Sequence, residues 1–312
     1  MTDVAKTVSG ASLSDFIAVE SARPAFPAAT AFAQELARRY GATVDAVLFY
    51  GSCLRQNTDQ GLMLDYYVLC ADLAAALDSP LAAAVGRLLP PNVYYHEMTY
   101  EGRTLRAKVA VMATADFAAG MNAFASALWA RFAQTTAIVH VRDTPTRAAI
   151  VAALCAAVTR MIESTAPLMD VSFTAEALWV RALQETYRAE LRPEGPAKAV
   201  ELVDSDRARA YAVTAAALGA PGPDDAYQNT ASPQVRAGTA RAWMARRWWG
   251  KSLNLARLVK AAFTFSGGLD YAVWKIERHS GVRIALTDAD RRRPLLTGLK
   301  LFYRVLISGG IK

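Results

Sequence analysis

Residues 47–69, VLFYGSCLRQNTDQGLMLDYYVL, constrain the fold more than any other part of the sequence. An apolar strand ends at a Gly-Ser pair, a polar excursion follows, and a second apolar strand then carries a single carboxylate, Asp65. The two-residue period of a strand places Asp65 and Tyr67 on one face and Tyr66 on the other. Because an ionised carboxylate on a buried strand is costly unless it is paired or binds a metal, this stretch predicts a binding site as well as two strands of a sheet.

The composition bounds the class of protein. The 312 residues are enough for one large domain or two medium ones, and 53% hydrophobic with 20% charged residues is typical of a globular protein. The three cysteines are scattered, which favours a reducing compartment over a disulfide framework. We expect no signal peptide, and no transmembrane span because the longest apolar run, residues 148–158, is shorter than the about 20 residues that cross a bilayer.

The pattern of elements changes near residue 145. Before it, strands and helices alternate: residues 92–100 and 103–112 predict a hairpin around Glu101-Gly102, and residues 114–132 predict a helix. After it, helical patterns dominate. The predicted fold class is α/β, a mixed sheet with helices followed by a mainly helical second domain. The predicted divisions are an α/β domain in residues 1–145, a helical domain in residues 146–235 and a basic helical region in residues 236–312.

The basic charge is concentrated at the C-terminal end. Residues 236–312 contain 16 Lys and Arg against 4 Asp and Glu, although the whole chain carries a net charge of only +7. Such a region favours an anionic partner, either nucleic acid or an acidic membrane surface. Trp248 and Trp249 stand among basic residues, as in peripheral membrane helices, and Arg291, Arg292 and Arg293 open a second basic-apolar stretch. A core helix with one basic face is the alternative interpretation.

The Gly51-Ser52 turn and Asp65 together suggest nucleotide chemistry. A Gly-Ser turn lets backbone N–H groups and a hydroxyl approach a phosphate. Nucleotidyltransferases combine such a turn with a strand carboxylate that bridges to the phosphate oxygens of a nucleoside triphosphate through Mg²⁺. Other interpretations stay open on the residues alone, since Gly-Ser pairs form ordinary turns and a strand Asp can pair with an Arg. The common pattern also has a second carboxylate two residues after the first, where this chain has Tyr67.

Several segments over roughly residues 45–165 resemble one family. The mitochondrial-type phosphatidate cytidylyltransferases, the translocator assembly and maintenance family of the nucleotidyltransferase superfamily, are similar to the chain in the segments YGSCLRQ, DQGLMLDYYVL, NVYYHEM, LRAKVAVMAT and LWARFAQ. In that family apolar residues replace the second carboxylate, so Tyr67 is expected. The resemblance puts Lys108 on the family lysine, Arg131 on the family arginine and Gln134 near the glutamine. The chain departs from it at Thr135-Thr136, where the family has Lys-Pro, and it lacks the Trp-His pair that follows the family's Asp strand.

The resemblance implies a nucleotidyltransferase-type sheet and a reaction in which CTP and phosphatidate give CDP-diacylglycerol and pyrophosphate with Mg²⁺. Asp65 would hold the metal and, with Lys108, act at the catalytic centre. Gly51, Ser52, Arg131 and Gln134 would bind the triphosphate. Asp59 and Glu97 are the nearest candidates for a second metal carboxylate, with a solvated loop acid and an edge-strand acid as the alternatives.

The implied partners are CTP and an anionic phospholipid at the inner, cytoplasmic face of a membrane, with no specific nucleic acid. Two other functions stay open. One is a degenerate nucleotidyltransferase that binds nucleotide or RNA without catalysis, which Tyr67 and the missing Lys-Pro favour. The other is a nucleotidyltransferase that acts on a soluble phosphorylated acceptor. The sequence does not predict an oligomeric state.

Overall fold

A computed structural model describes residues 12–60, 62–190 and 196–264, and for residues 251–264 it describes the backbone only. The strands are β1 (Val44–Tyr50), β2 (Leu64–Cys70), β3 (Asn92–Tyr100), β4 (Arg103–Ala113), β5 (Thr136–Val141), β6 (Ser172–Thr174) and β7 (Ala226–Gln228). The α-helices are α1 (Leu13–Ser21), α2 (Pro27–Tyr40), α3 (Ser52–Gln56), α4 (Leu73–Ala76), α5 (Pro80–Leu88), α6 (Thr114–Asn122), α7 (Leu128–Phe132), α8 (Thr144–Glu163), α9 (Ala175–Ala189), α10 (Pro196–Ser205), α11 (Arg207–Leu218) and α12 (Pro233–Thr264).

The first five strands form one mixed sheet in the order β3-β4-β2-β1-β5. The β2 and β4 strands run parallel, while the β1–β2, β1–β5 and β3–β4 pairs are antiparallel. The predicted hairpin is confirmed, with Glu101 and Gly102 at positive φ in its turn. The structure therefore confirms an α/β protein with a mixed sheet and many helices, whereas the small β6–β7 pair lies apart from that sheet.

The two faces of β2 enter two different cores, as the two-residue period predicts. Tyr66 and Val68 belong to a core that packs against α2. Tyr67 and Leu69 belong to the other core, which includes side chains of α1, α6, α8, α9, α11 and α12. This second core crosses residue 145 without a break, so the sheet and the later helices share one hydrophobic interior. The predicted division into domains stays a prediction.

The prediction of one helix over residues 114–132 is wrong, because the segment folds into α6 and α7 with a turn between them. The two helices touch where Gly120 faces Leu128: a Cβ at Gly120 would lie 2.5 Å from the Leu128 Cδ1 atom. The Trp129 indole nitrogen also donates a hydrogen bond to the Phe124 carbonyl oxygen at 3.2 Å. These contacts stabilise the turn and set the direction of α7.

Within the described residues, one helical stretch, Thr144–Leu168, is long and apolar enough by length and composition to cross a membrane. Half of its most apolar window is buried inside the protein. Its main part, α8, packs against α1, α6 and α7. A core helix passes the same test of length and composition, and these contacts give the apolar side chains of α8 a place in the core.

Candidate active site

The three central strands place Tyr50, Asp65 and Lys108 side by side at one end of the sheet. Tyr50 is paired with Asp65 across β1 and β2, and Asp65 is paired with Lys108 across β2 and β4. Paired residues on neighbouring strands project from the same face, and neighbouring strands lie about 4.8 Å apart. The lysine and the carboxylate predicted from distant parts of the sequence are therefore neighbours.

Gly51 brings the backbone of the turn against the Asp65 carboxylate. Its φ is +89°, a conformation that L side chains rarely adopt, and a Cβ built on it would lie 2.7 Å from the Asp65 Oδ2 atom. Only glycine combines this backbone conformation with this close approach. Ser52 follows as the first residue of α3. The turn therefore stands beside the carboxylate, as the sequence predicts.

The Asp65 carboxylate is half-buried and surrounded by cationic side chains. Burial raises its pKa above the ordinary value, because the charged form loses hydration. Lys108, Arg131 and Arg55 act in the opposite direction and favour the ionised form. A carboxylate held in this way can accept a cation or share its charge with these neighbours.

Arg131 reaches the same place from α7. Its Nη1 atom donates a hydrogen bond to the Tyr67 hydroxyl oxygen at 2.8 Å. Its guanidinium carbon lies 5.6 Å from the centre of the Tyr50 ring and 5.8 Å from that of the Tyr67 ring. Gln134 lies just beyond α7 and donates its amide nitrogen to the Ala130 carbonyl oxygen at 3.1 Å. The segment LWARFAQ thus supplies a guanidinium held beside two tyrosines.

All six residues predicted to act at the catalytic centre or on the triphosphate line one cavity of about 880 Å³. They are Gly51, Ser52, Asp65, Lys108, Arg131 and Gln134. This volume lies within the range of about 300–1,000 Å³ that holds nucleotides and other small ligands. The structure brings together residues spread over more than 80 positions of the sequence.

The cavity has a second wall that the sequence did not predict. It comes from the end of α1 and the segment after it, from α3, from the end of α9, from α10 and from the residue before α11. Its charged members are Glu20, Arg23, Arg55, Glu190, Lys198, Glu201 and Asp206. Asp206 accepts a hydrogen bond from the Thr135 hydroxyl at 3.0 Å, so one of the threonines that replace the family's Lys-Pro faces this wall. Among these charged residues, only Arg55 could have been linked to the site from the sequence, because it lies one helical turn after Ser52. The others lie on helices or next to helix ends, where charged residues are typical of an ordinary solvated surface.

The two further metal candidates lie away from the cavity. Asp59 is ion-paired with Arg103 at 2.7 Å. Glu97 accepts hydrogen bonds from Tyr95 at 2.6 Å and from Arg106 at 3.1 Å. Neither carboxylate is among the residues that line the cavity. The structure therefore does not bring Asp59 or Glu97 to Asp65.

The residues present suit Mg²⁺ held in part by its substrate. Within the described ranges, no group of three or more His, Cys, Asp or Glu side chains could form a metal cage. Mg²⁺ needs no such cage, since it commonly binds one or two carboxylates and completes its shell with water and substrate phosphates. Asp65, the carboxylate against the Gly51 turn, fits that requirement.

The long helix α12 divides its tryptophans between core and surface. Trp243 is fully buried, whereas Trp248 and Trp249 are 78% and 60% exposed. Arg246 is also buried, and its guanidinium carbon lies 4.1 Å from the centre of the Trp129 ring. The basic face is therefore partly a core face, whereas Trp248 and Trp249 lie largely at the surface. Arg291, Arg292 and Arg293 lie outside the described residues.

A comparison of the sequence with models of known protein families found no match, and a comparison with curated proteins found none either. The resemblance to lipid cytidylyltransferases therefore rests on the segments that carry it and stays a prediction. The function has to be inferred from the cavity and the residues around it.

Proposed function

We propose that the chain is a Mg²⁺-dependent nucleotidyltransferase that transfers a cytidylyl group from CTP to phosphatidate or a related phospholipid. The observation that carries the proposal is the convergence of Gly51, Asp65, Lys108 and Arg131 on one cavity of nucleotide size. A glycine turn, one carboxylate and two cations are the groups that a triphosphate and its metal require. In this proposal the mixed sheet is of the nucleotidyltransferase type and the helices after residue 145 form a second domain.

The proposed reaction needs positioning and charge more than a strong base. An oxygen of the acceptor phosphate attacks the α-phosphorus of CTP, the bond from that phosphorus to the bridging oxygen breaks, and pyrophosphate leaves. The acceptor oxygen is already an anion, so no proton has to be removed from it. Lys108 and Arg131 would hold phosphate oxygens in line and offset the charge that develops on the pyrophosphate.

Mg²⁺, when bound by Asp65 and the phosphates, would supply additional positive charge at the reacting phosphate. The Gly51 backbone would stand against the same phosphates, because no side chain keeps them away from it. The two tyrosine rings beside Arg131 would keep part of the site dry. Charges act more strongly where water is excluded.

The lipid acceptor is supported by the family resemblance and by α12. An exposed pair of large aromatic side chains, Trp248 and Trp249, is costly in water and is typical of surfaces that enter the headgroup layer of a membrane. An enzyme that acts on phosphatidate from the cytoplasm must reach the bilayer. We therefore propose a peripheral location on the inner face of the membrane.

The test incubates the purified chain with each labelled nucleoside triphosphate, Mg²⁺ and vesicles that contain phosphatidate. The expected result is pyrophosphate and CDP-lipid from CTP. Asp65→Asn should abolish turnover, since it removes the only carboxylate among the six predicted cavity residues but changes little in shape. Glu163→Gln, at an exposed position at the end of α8, is the matched control and should keep full activity. Full activity of Asp65→Asn would refute the proposed metal role.

A degenerate nucleotidyltransferase is the second candidate, favoured by Tyr67 at the usual place of a second carboxylate. The same assay separates the two functions. Triphosphate binding without pyrophosphate release, with every nucleotide and acceptor tried, would select the binding protein. Release of pyrophosphate with a soluble sugar phosphate instead of vesicles would keep the chemistry and replace the acceptor.

A further inference from the structure

Tyr67 occupies the position where the general nucleotidyltransferase pattern has its second carboxylate. It is two residues beyond Asp65 on the same face of β2, and its side chain is fully buried. Its hydroxyl oxygen accepts a hydrogen bond from the Arg131 Nη1 atom at 2.8 Å. The residue that breaks the expected pattern therefore touches the cation that the proposed reaction needs.

An aromatic cluster surrounds this contact. The Tyr50 and Tyr67 rings, with their centres 5.5 Å apart, both lie within 6 Å of the Arg131 guanidinium carbon. Phe132 packs edge-on against Tyr67 with ring centres 4.9 Å apart. The hydroxyl holds one end of the guanidinium, and both rings lie beside it. The hydrogen-bond and ring partners of Arg131 here are therefore uncharged, while the carboxylates of Asp65 and Glu190 act on it electrostatically.

The chemical difference between a hydroxyl and a carboxylate matters at this position. A carboxylate at residue 67 would form an ion pair with Arg131 and cancel most of its charge. A tyrosine hydroxyl accepts one N–H bond and leaves the positive charge available to a ligand. Two tyrosine rings also attract a cation through their faces without neutralising it.

We propose that Tyr67 is a positioning residue that aims a fully charged Arg131 at the polyphosphate of the nucleotide. This inference rests on the proposed function, because it assumes that Arg131 binds phosphate. It assigns a role to the one position at which the chain departs from the general pattern. Tyr67 itself does not line the cavity and acts through Arg131.

The neighbouring residue provides a matched control. Tyr66 is also fully buried, but it lies on the opposite face of β2 and donates its hydroxyl to the Ala29 carbonyl oxygen at 2.7 Å. Tyr67→Phe and Tyr66→Phe each remove one buried hydroxyl and keep the ring. A purely structural hydroxyl affects stability alone, whereas a positioning hydroxyl also affects phosphate affinity.

The experiment measures the affinity for inorganic tripolyphosphate by titration calorimetry, together with thermal unfolding. We expect Tyr67→Phe to bind about ten-fold more weakly, as the loss of a hydrogen bond to a charged group implies. Tyr66→Phe should bind like the wild type although its melting temperature falls. Arg131→Met should weaken binding at least as much, and adding Tyr67→Phe to it should have no further effect, because the two residues act as one unit.

The outcomes separate this inference from the proposed function. Equal or tighter binding by Tyr67→Phe than by the wild type would overturn the positioning role. Additive losses in the double variant would overturn it too, since Tyr67 would then act independently of Arg131. If the wild-type chain does not bind tripolyphosphate at all, the proposed function fails first and this inference fails with it.

Discussion

The backbone of Gly51 lies so close to the Asp65 carboxylate that a side chain at residue 51 would have to displace the carboxylate. Gly51→Ala adds a Cβ 2.7 Å from the Asp65 Oδ2 atom and forces alanine to a φ of +89°. We expect a loss of about 3 kcal/mol in the free energy of unfolding and a loss of turnover. Gly102→Ala is the control, because its φ is +75° but nothing lies within 4 Å of the added Cβ. It should cost only about 1 kcal/mol and keep activity; equal effects of the two variants in urea unfolding would contradict the proposed contact.

The raised pKa of Asp65 gives a second prediction at the residue scale. Burial makes the folded protein hold the Asp65 proton at pH values where the unfolded chain has lost it. The folded state then binds more protons, so this residue lowers the free energy of unfolding as the pH rises from the ordinary pKa through the raised one.

The Asp65→Asn variant removes this dependence of stability on pH. We expect the variant to gain on the order of 1 kcal/mol over the wild type at pH 8 and almost nothing near pH 4, measured by chemical unfolding. A variant less stable than the wild type at pH 8 would mean that the contacts with Lys108 and Arg131 dominate.

At the scale of elements, local patterns were predictable and long-range contacts were not. The strand–turn–strand unit around Gly51 and the hairpin at Glu101-Gly102 depend on neighbours in sequence, and both formed as predicted. The break between α6 and α7 depends on the contact of Gly120 with Leu128, which an alanine-rich segment does not reveal. The pairing of β5 with β1 likewise joins segments about 90 residues apart. The sequence indicated which residues meet in the cavity better than it indicated the contacts that hold them there.

Arg246 shows how α12 supports α7. It donates hydrogen bonds to the carbonyl oxygens of Phe124 at 2.5 Å and Ser126 at 2.9 Å, in the turn before α7. Burial lowers its pKa to about 10, which leaves it cationic at neutral pH. Arg246→Met removes both bonds and should lower the free energy of unfolding by about 2–3 kcal/mol. Arg241→Met on the exposed side of the same helix should change it by less than about 0.5 kcal/mol in the same denaturant titration. Similar losses for both variants would show that Arg246 does not anchor the turn.

At the scale of the whole molecule, the packing of the later helices against the sheet explains why only one wall of the cavity could be predicted. The wall formed by the sheet ends comes from segments whose turns and buried polar residues stand out in the sequence. The facing wall comes mainly from the end of α9, from α10 and from the residue before α11. These helices reach the cavity because their apolar sides share a core with the sheet. Their cavity-lining charges, such as Lys198 and Glu201, form ion pairs that any exposed helix could carry. In the proposed reaction this second wall is the candidate surface for the acceptor, and the family resemblance alone leaves the acceptor open.

Membrane attachment is the prediction that concerns the molecule as a unit, since the proposed reaction requires the cavity to face a lipid acceptor. Trp248 and Trp249 are exposed on α12, and the charge of the C-terminal region is strongly positive. We expect the chain to cosediment with vesicles that contain phosphatidate, less so at high salt because screening weakens the attraction between basic residues and anionic lipid. Trp248→Ala combined with Trp249→Ala should reduce binding about ten-fold or more, as should deletion of residues 287–312.

The control for this experiment removes apolar surface elsewhere. Leu81 and Leu88 on α5 are 74% and 79% exposed, so replacing both by alanine also deletes two exposed apolar side chains without touching α12. That variant should bind vesicles like the wild type. Equal binding by the tryptophan variant and this control would exclude α12 as the attachment surface. Vesicle binding that does not change with salt would exclude the basic region as the source of the attraction, because only the apolar contribution is insensitive to screening.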